Sequence, residues 1–254
     1  MRPTEDRFQA ILRLVAARDR VTIAELSRQL KVSEMTIRRD LATLDAEGAL
    51  RRVRGGAVPV ASGSYEPPFA ARAKLNPAAK RDIAVAAARL VSDGETVILD
   101  GGTTGAAIAE ELLGRDITVC TPSLRVADVL SGSATVRVMI PGGIVRPDER
   151  TLIGPPALRI FEDHRFDVYL MTVSGIHITA GLTEWNLDDA AVKRAALEAA
   201  SRCVVSCDAS KFGKTAFGRI CPVERADVIV TDAGIAAEQR TAFTAADVEL
   251  RVAS

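Results

Sequence analysis

The 254-residue sequence predicts an α/β protein in three parts: a winged helix-turn-helix domain at residues 1–58, a linker at 59–76, and a larger, Rossmann-like doubly wound domain at 77–254. Three observations lead there. Short helical patterns with capping residues precede an arginine-rich hairpin. Beyond residue 77, apolar strand-like runs alternate with helical patterns. One such run, TVILD, passes straight into Gly-Gly-Thr-Thr-Gly and then a helix.

In RFQAILRLVAA, apolar residues recur at helical spacing (Phe8, Ile11, Leu12, Val15) until Asp19 and Arg20 break the pattern. Thr22 is placed to cap a short helix over 23–30. Lys31-Val32 makes the turn, and Ser33 caps a third helix with Gly48 as its C′ residue. LRRVRGGAV then reads as two extended pieces around Gly55-Gly56, a hairpin. On a helical wheel Leu41 and Leu44 share the face of Ile37, while Met35, Arg39 and Thr43 point away and Arg38 sits on the flank. An outward arginine on a capped helix after a tight turn is a recognition-helix arrangement, since its fork reaches a guanine edge or a phosphate. The candidate DNA contacts are therefore Ser33, Thr36, Arg38, Arg39 and Thr43 on the helix, with Arg51, Arg52 and Arg54 in the hairpin. Residues 1–60 hold 12 Lys/Arg against 8 Asp/Glu, a net of +4; with 33 of each in the whole chain, the remainder is −4. A polyanion partner, double-stranded DNA, suits the first part only.

PVASGSYEPPFAARAKLN (59–76) has three prolines and no sustained period, hence the linker. Pro77 opens an alanine-rich helix. The strand-like runs that follow are TVILD, DITVC, TVRVMI, FDVYLMTV, RCVVSC, DVIVTD and VELRV, with helical patterns around 106–113, 123–130, 157–163, 188–200 and 236–243. Apolar strands alternating with helices imply a parallel sheet buried on both faces.

Composition narrows the function. Hydrophobic residues at 48% and charged residues at 26% describe an ordinary globular chain. No apolar run reaches spanning length, so the expectation is a cytoplasmic protein with no membrane partner. The four cysteines form no CxxC pair and there are only two histidines, which points to reduced structural thiols, no metal and no cofactor.

The strand–GGTTG–helix junction is the candidate anion site. Free N–H groups and the helix dipole favour a negative charge there. Asp100, Gly101, Gly102, Thr103 and Thr104 form the cradle, Asp100 being able to accept from ligand hydroxyls. Without the GxxxxGK[ST] pattern a nucleoside triphosphate is not implied. Lys193 in VKRAALEAA and Lys211 in DASKFGKT add cations near strand ends.

Taken together, VTIAELSRQLKVSEMTIRRDLATLDAEGALRRVRGGAV, AAKRDIAVAAARLVSDGETVILDGGTT, PGGIVR, KRAALEAA and DASKFG resemble the DeoR family of bacterial transcriptional regulators over nearly the full length. The resemblance implies a sensor domain with the fold of pentose-phosphate isomerases and CoA transferases, and a phosphorylated sugar effector whose binding lowers operator affinity. It also implies that Asp100–Thr104 form the anion loop, with Lys193 and Lys211 as further contacts. The chain departs from the family at Arg54, where histidine is common before the wing Gly-Gly, and at Thr151, where serine is common. At His177, the family often has aspartate after Gly-(Ile/Val). His177 is thus a candidate ligand contact or a hydrogen-bonded structural residue. Trp185, in GLTEWNLDD, either packs against a neighbour or lines the pocket mouth. Two other readings remain open: a sugar-phosphate isomerase fused to a DNA-binding domain, with Asp208, Asp188 or Glu184 as base, and an α/β domain that only oligomerises. A single winged helix reads a short site, so a homodimer or homotetramer is expected.

Overall fold

The computed structural model describes residues 3–16, 18, 20–46, 49–59, 66–246 and 248–253. The chain divides into two units, residues 1–77 and 78–254.

In the first unit, α1 (Pro3–Ala16), β1 (Val21–Thr22), α2 (Ile23–Leu30), α3 (Glu34–Ala46), β2 (Arg51–Val53) and β3 (Gly56–Val58) follow in order. α2 starts with a capping box. Thr22 Oγ1 accepts from the Glu25 N–H at 3.2 Å, and the Glu25 carboxylate accepts from the Thr22 N–H at 2.8 Å. Lys31 closes α2 in the left-handed region (φ 53°), and Ser33 Oγ accepts from the Thr36 N–H at 3.2 Å to start α3. The end expected at Gly48 lies outside the described residues. The strands form an antiparallel sheet in the order β1-β3-β2. Gly56 is required there, because a Cβ would sit 2.0 Å from the Val21 carbonyl oxygen. Ile11, Val15, Leu26, Ile37, Leu41 and Leu44 fill the core, as the helical spacing demands. Arg7 also grips the buried Asp40 with Nε and Nη2 at 2.5 and 3.1 Å, tying α1 to α3.

The segment expected as a linker is partly structured: Pro67-Pro68 leads into a short helix, α4 (Phe69–Ala73). Arg72 is buried there, donating to the Pro67 carbonyl at 2.9 Å and to Glu66 at 3.2 Å. Proline's fixed φ suits an extended lead-in, and a helix of five residues leaves too little period to read.

The second unit opens with α5 (Pro77–Ala88), β4 (Thr96–Leu99), α6 (Gly102–Glu111), β5 (Thr118–Cys120), α7 (Leu124–Leu130) and β6 (Arg137–Met139). A hairpin of β7 (Ile144–Val145) and β8 (Leu152–Ile153) leads to α8 (Pro155–Asp163) and β9 (Phe166–Thr172). β10 (Gly175–His177), β11 (Gly181–Glu184), α9 (Leu187–Ala199), β12 (Ala200–Ser206) and β13 (Gly218–Cys221) come next. The chain ends with β14 (Val228–Asp232), α10 (Ala237–Ala245) and β15 (Glu249–Ala253). The seven strands read from the sequence make one parallel sheet in the order β15-β14-β12-β9-β4-β5-β6. Side chains alternate across it. Ile98, Tyr169, Met171 and Val205 meet α8, α9 and α10 through Phe161, Ala196 and Phe243, whereas Val97, Leu99, Leu170 and Val204 meet α5, α6 and α7 through Ile83, Ile108 and Val126. Helices thus cover both faces, as expected of a doubly wound domain. The small antiparallel sheet β10-β11-β13 and the β7–β8 hairpin were not legible beforehand: their strands are two to four residues long.

From β4 the chain builds outward through β5 and β6, then returns to the other side of β4 with β9 and continues through β12, β14 and β15. The strand order therefore reverses between β4 and β9, where open α/β sheets carry ligand crevices at their carboxyl ends.

Candidate functional site

α3 presents Met35 and Arg39 outward as the wheel predicts. Met35 is 69% exposed, Arg38 and Arg39 are exposed, and Ile37, Leu41 and Leu44 are buried. Arg38 leans on Glu34 at 3.4 Å one turn earlier. Thr36 Oγ1 lies 2.9 Å from Ser33 Oγ, so these two hydroxyls sit together at the helix start. Thr43 is half-buried and its hydroxyl donates to the Arg39 carbonyl at 3.2 Å. Arg51 and Arg52 are exposed on β2, the Arg52 N–H bound to Asp45 at 2.9 Å, and the exposed Arg54 gives its carbonyl to Arg20 at 2.8 Å. The expected cations thus share one small unit with a solvent-facing helix and wing.

At the switch point, β4 ends at Asp100 and β9 at Thr172, side by side. The buried Asp100 carboxylate accepts from the Gly101 N–H (2.8 Å), the Thr172 N–H (3.1 Å) and the Thr172 hydroxyl (3.3 Å), and forms an ion pair with Lys193. Lys193 Nζ also donates to the Thr172 carbonyl at 2.8 Å and contacts Glu184 at 3.1 Å. An ammonium has three hydrogens, and these three acceptors match them. Burial works against the charge on Lys193, yet Asp100 and Glu184 together hold its pKa above the ordinary lysine value. Glu184, buried on β11, would be raised by desolvation, but Lys193, the Ser174 hydroxyl and the Trp185 N–H keep it below the usual glutamate range. α9 begins at Leu187, capped by Asn186, which puts Lys193 in its second turn. Asp100 and Lys193 are therefore both engaged with protein partners at the base of the turn.

In the turn itself Gly101 and Thr104 are buried and Gly102 is half-buried. Gly101 is the N-cap of α6 and no side chain caps the helix; Gly102 adopts φ +79°, and Thr103 is half-buried. A Cβ on Gly101 would lie 3.1 Å from Thr151 Cγ2 and 3.2 Å from Ser123 Cβ, so these two residues wall the turn. Trp185 and Lys211, far apart in sequence, come together, the ammonium 4.6 Å from the indole centroid. Lys211 lies in a short 3₁₀ turn, Ala209–Lys211, capped by Asp208. Burial alone would raise Asp208; Lys211, Ser210 and Lys80 outweigh it and lower its pKa. Lys80, buried on α5, was not singled out from the sequence, since an alanine-rich helix gives no hint which lysine turns inward.

His177 ends β10, and its Nδ1 accepts from the Thr179 and Ala180 N–H groups at 3.3 and 3.4 Å, with Thr179 Oγ1 at 3.0 Å. The ring thus braces its own hairpin turn through Nδ1. Arg146, after β7, pairs with Asp189 at 2.6 Å, joining the PGGIVR segment to α9. The four cysteines are buried and unpaired. Among the described residues no cluster of three His, Cys, Asp or Glu could hold a metal ion, and no helix is long and apolar enough to cross a membrane.

Residues 7–62 match the model of the DeoR-like helix-turn-helix domain, and residues 75–233 match that of the DeoR C-terminal sensor domain. The transcriptional repressor GlcR of Bacillus subtilis is 33% identical over 90% of this chain and 88% of its own length. The regulator GolR of Listeria innocua is 34% identical over 89% and 90%, and the repressor AccR of Agrobacterium fabrum 34% over 91% and 90%. Among solved structures, ribose 5-phosphate isomerase A of Methanocaldococcus jannaschii is similar at a TM-score of 0.41 and 17% identity, covering 54% of this chain and 55% of that one, and no chemistry is carried over from it. A solvent-facing helix with outward arginines in one unit, a switch-point turn in the other, and matches to both family domains converge: the chain belongs to the DeoR family and is a DNA-binding transcriptional regulator rather than an enzyme.

Proposed function

We propose that this regulator is a repressor of a sugar catabolism operon, and that a phosphorylated sugar bound at the β4–β9 switch point lowers its affinity for the operator. The observation that carries this reading is the uncapped start of α6 beside the paired ends of β4 and β9. The first-turn N–H groups and the helix dipole there favour an anion. In this reading the N–H groups of Gly102, Thr103 and Thr104, with the threonine hydroxyls, take the phosphate. Asp100 and Lys193 hold the turn in shape. Lys211 and Trp185 connect to the same network, since Trp185 donates its N–H to Glu184, and they take the sugar end with Lys80 and Asp208 behind them. His177 supports the neighbouring hairpin. The winged helix reads operator half-sites through Arg39, with Ser33, Thr36, Arg38, Thr43, Arg51, Arg52 and Arg54 on phosphates or adjacent edges, as a homodimer or homotetramer in the cytoplasm. Relatives named as repressors support the direction of control.

The experiment is an operator-binding titration against pentose and hexose phosphates and the corresponding free sugars. One phosphorylated sugar should weaken operator binding by about 5–150-fold, the usual 1–3 kcal/mol of allosteric coupling. The free sugar should do little. Release by a free sugar, with no response to any phosphorylated one, would overturn the assignment.

A further inference from the structure

The loop between β7 and β8 is held more firmly than its position at the surface requires. Asp148 and Arg150 both adopt φ +60°, a region that non-glycine residues keep only when their surroundings over-determine them. The surroundings here do so. The Arg150 carbonyl accepts from the Leu124 N–H at 3.0 Å, the Asp148 carbonyl accepts from Arg125 at 2.8 Å, and the Arg146 N–H donates to the Thr151 carbonyl at 2.7 Å. The loop ends at Thr151, whose hydroxyl donates to Asp189 at 2.8 Å and accepts from Arg146 Nε at 3.3 Å. With both functions of that hydroxyl engaged, the rotamer is fixed and the methyl group is turned onto Gly101. Ser123, the other wall of the turn, is bridged to Thr151 through the backbone.

Asp189 is the common partner. It is 7% exposed, and Arg146 Nη2 meets its second oxygen at 2.6 Å. We propose that the Asp189 carboxylate is a positioning residue for anion binding: through Arg146 and Thr151 it presses the 146–151 loop against Gly101, and when it is protonated the loop is released and the anion is held less tightly. This rests on the reading of the Gly101–Thr104 turn as an anion site.

Asp189 also stands where a proton can act as a signal. Burial raises its pKa to about 6, with Glu184 of β11 adding to the rise, while Arg146, Thr151 and, one turn on along α9, Lys193 oppose it. Asn186 accepts from its N–H at 3.1 Å, which fixes the backbone but not the charge. If only the ionised form holds the turn, the competent fraction falls to roughly a tenth near pH 5, and the apparent dissociation constant rises about tenfold from its value near pH 8.

The test uses the full-length protein and two readouts. In the first, the backbone amide resonances of Gly101 and Gly102 are followed across the acid range by NMR with no anion added. They should move with a midpoint near the Asp189 value in wild type and in Thr151→Ser, which keeps the hydroxyl. That midpoint should vanish in Asp189→Asn and in Thr151→Val. In the second, sulfate is titrated and read at the same amides; it keeps its two charges throughout the range, so the probe does not titrate. Its affinity should weaken about tenfold toward pH 5 in wild type and stay level in Asp189→Asn. A wild-type glycine midpoint that persists in both Asp189→Asn and Thr151→Val overturns the positioning role. So does the absence of any midpoint in wild type. Sulfate that fails to perturb these amides at any pH, beside a midpoint that behaves as expected, counts against the anion-site reading and leaves the positioning role supported by the first readout.

Discussion

Lys193→Met separates a structural lysine from a ligand-binding one. The lysine is 5% exposed between Asp100 and Glu184, themselves 4% and 7% exposed, and methionine keeps most of its apolar stem while removing the charge. Two buried carboxylates then lose their shared cation. Removing one partner of a buried ion pair costs about 3–5 kcal/mol, because the other charge stays desolvated. For a domain of this size that is a fall in Tm of roughly 6–20 °C. The pH dependence gives the sharper check. In wild type Glu184 lies below its ordinary pKa, so its contribution to stability is present above the unfolded value and is lost as pH falls through the folded one. Without Lys193, burial is left to raise Glu184, and the sign reverses: its contribution is present at low pH and lost as pH rises. The deficit of the variant should therefore be greatest near pH 8 and shrink toward about pH 5. Calorimetry at three pH values, following the sensor-domain transition, measures it. A variant that melts like wild type near pH 8, and yet no longer responds to effector, would refute the structural role and return Lys193 to the ligand contacts.

Other expectations are as direct. Arg39→Ala should cost about 1–3 kcal/mol at the operator and relax base preference at one position, whereas Arg52→Ala should weaken all sequences alike and flatten the salt dependence; footprinting across salt concentrations distinguishes the two. Thr103→Ala should leave operator binding intact but raise the effector concentration needed for release, and unchanged release would remove Thr103 from the site. Trp185, the one tryptophan, should change its fluorescence on binding a sugar phosphate, because Lys211 sits over its ring; an unchanged spectrum with calorimetric binding would confine the pair to packing.

The parallel sheet was readable because its central strands, buried on both faces, appear as largely apolar runs such as TVILD and RCVVSC, while the edge runs TVRVMI and VELRV keep exposed charges yet still fall between helical patterns. The faces of α3 were readable for a related reason: Ile37, Leu41 and Leu44 mark its buried face and leave Arg39 no direction but outward. The site was legible at its backbone, where glycines announce the turn, and not in its side-chain partners. Nothing local says that Lys193 pairs with Asp100, 93 residues away, or that Arg146 reaches Asp189. His177 shows the limit of reading one residue by type, since its ring answers to a turn two and three residues ahead. Arg7 and Asp40 were equally silent, each an ordinary surface residue until α1 and α3 pack.

The pairing of those side chains bears on why the switch-point turn suits a regulator's sensor domain rather than a catalytic one. Moving a proton between sugar carbons needs a base that is close to the substrate and able to take the proton up. Of the buried carboxylates at this switch point, Glu184 is held below its ordinary pKa by Lys193, the Ser174 hydroxyl and the Trp185 backbone N–H. Asp208, next along the sheet edge, is held ionised by Lys211, Ser210 and Lys80. A carboxylate stabilised in this way is a poor base, because protonation would strand the cation beside it in a low-dielectric interior. The same bonds serve recognition well. In the proposed reading they hold the Gly101–Thr104 turn in place before a ligand arrives, so little ordering cost falls on binding. They also span β4, β9, β11 and α9, so occupancy of the turn is felt across several elements at once. A ligand that favours one arrangement of such a network shifts the population of the whole domain, which is the physical requirement for a signal and involves no turnover.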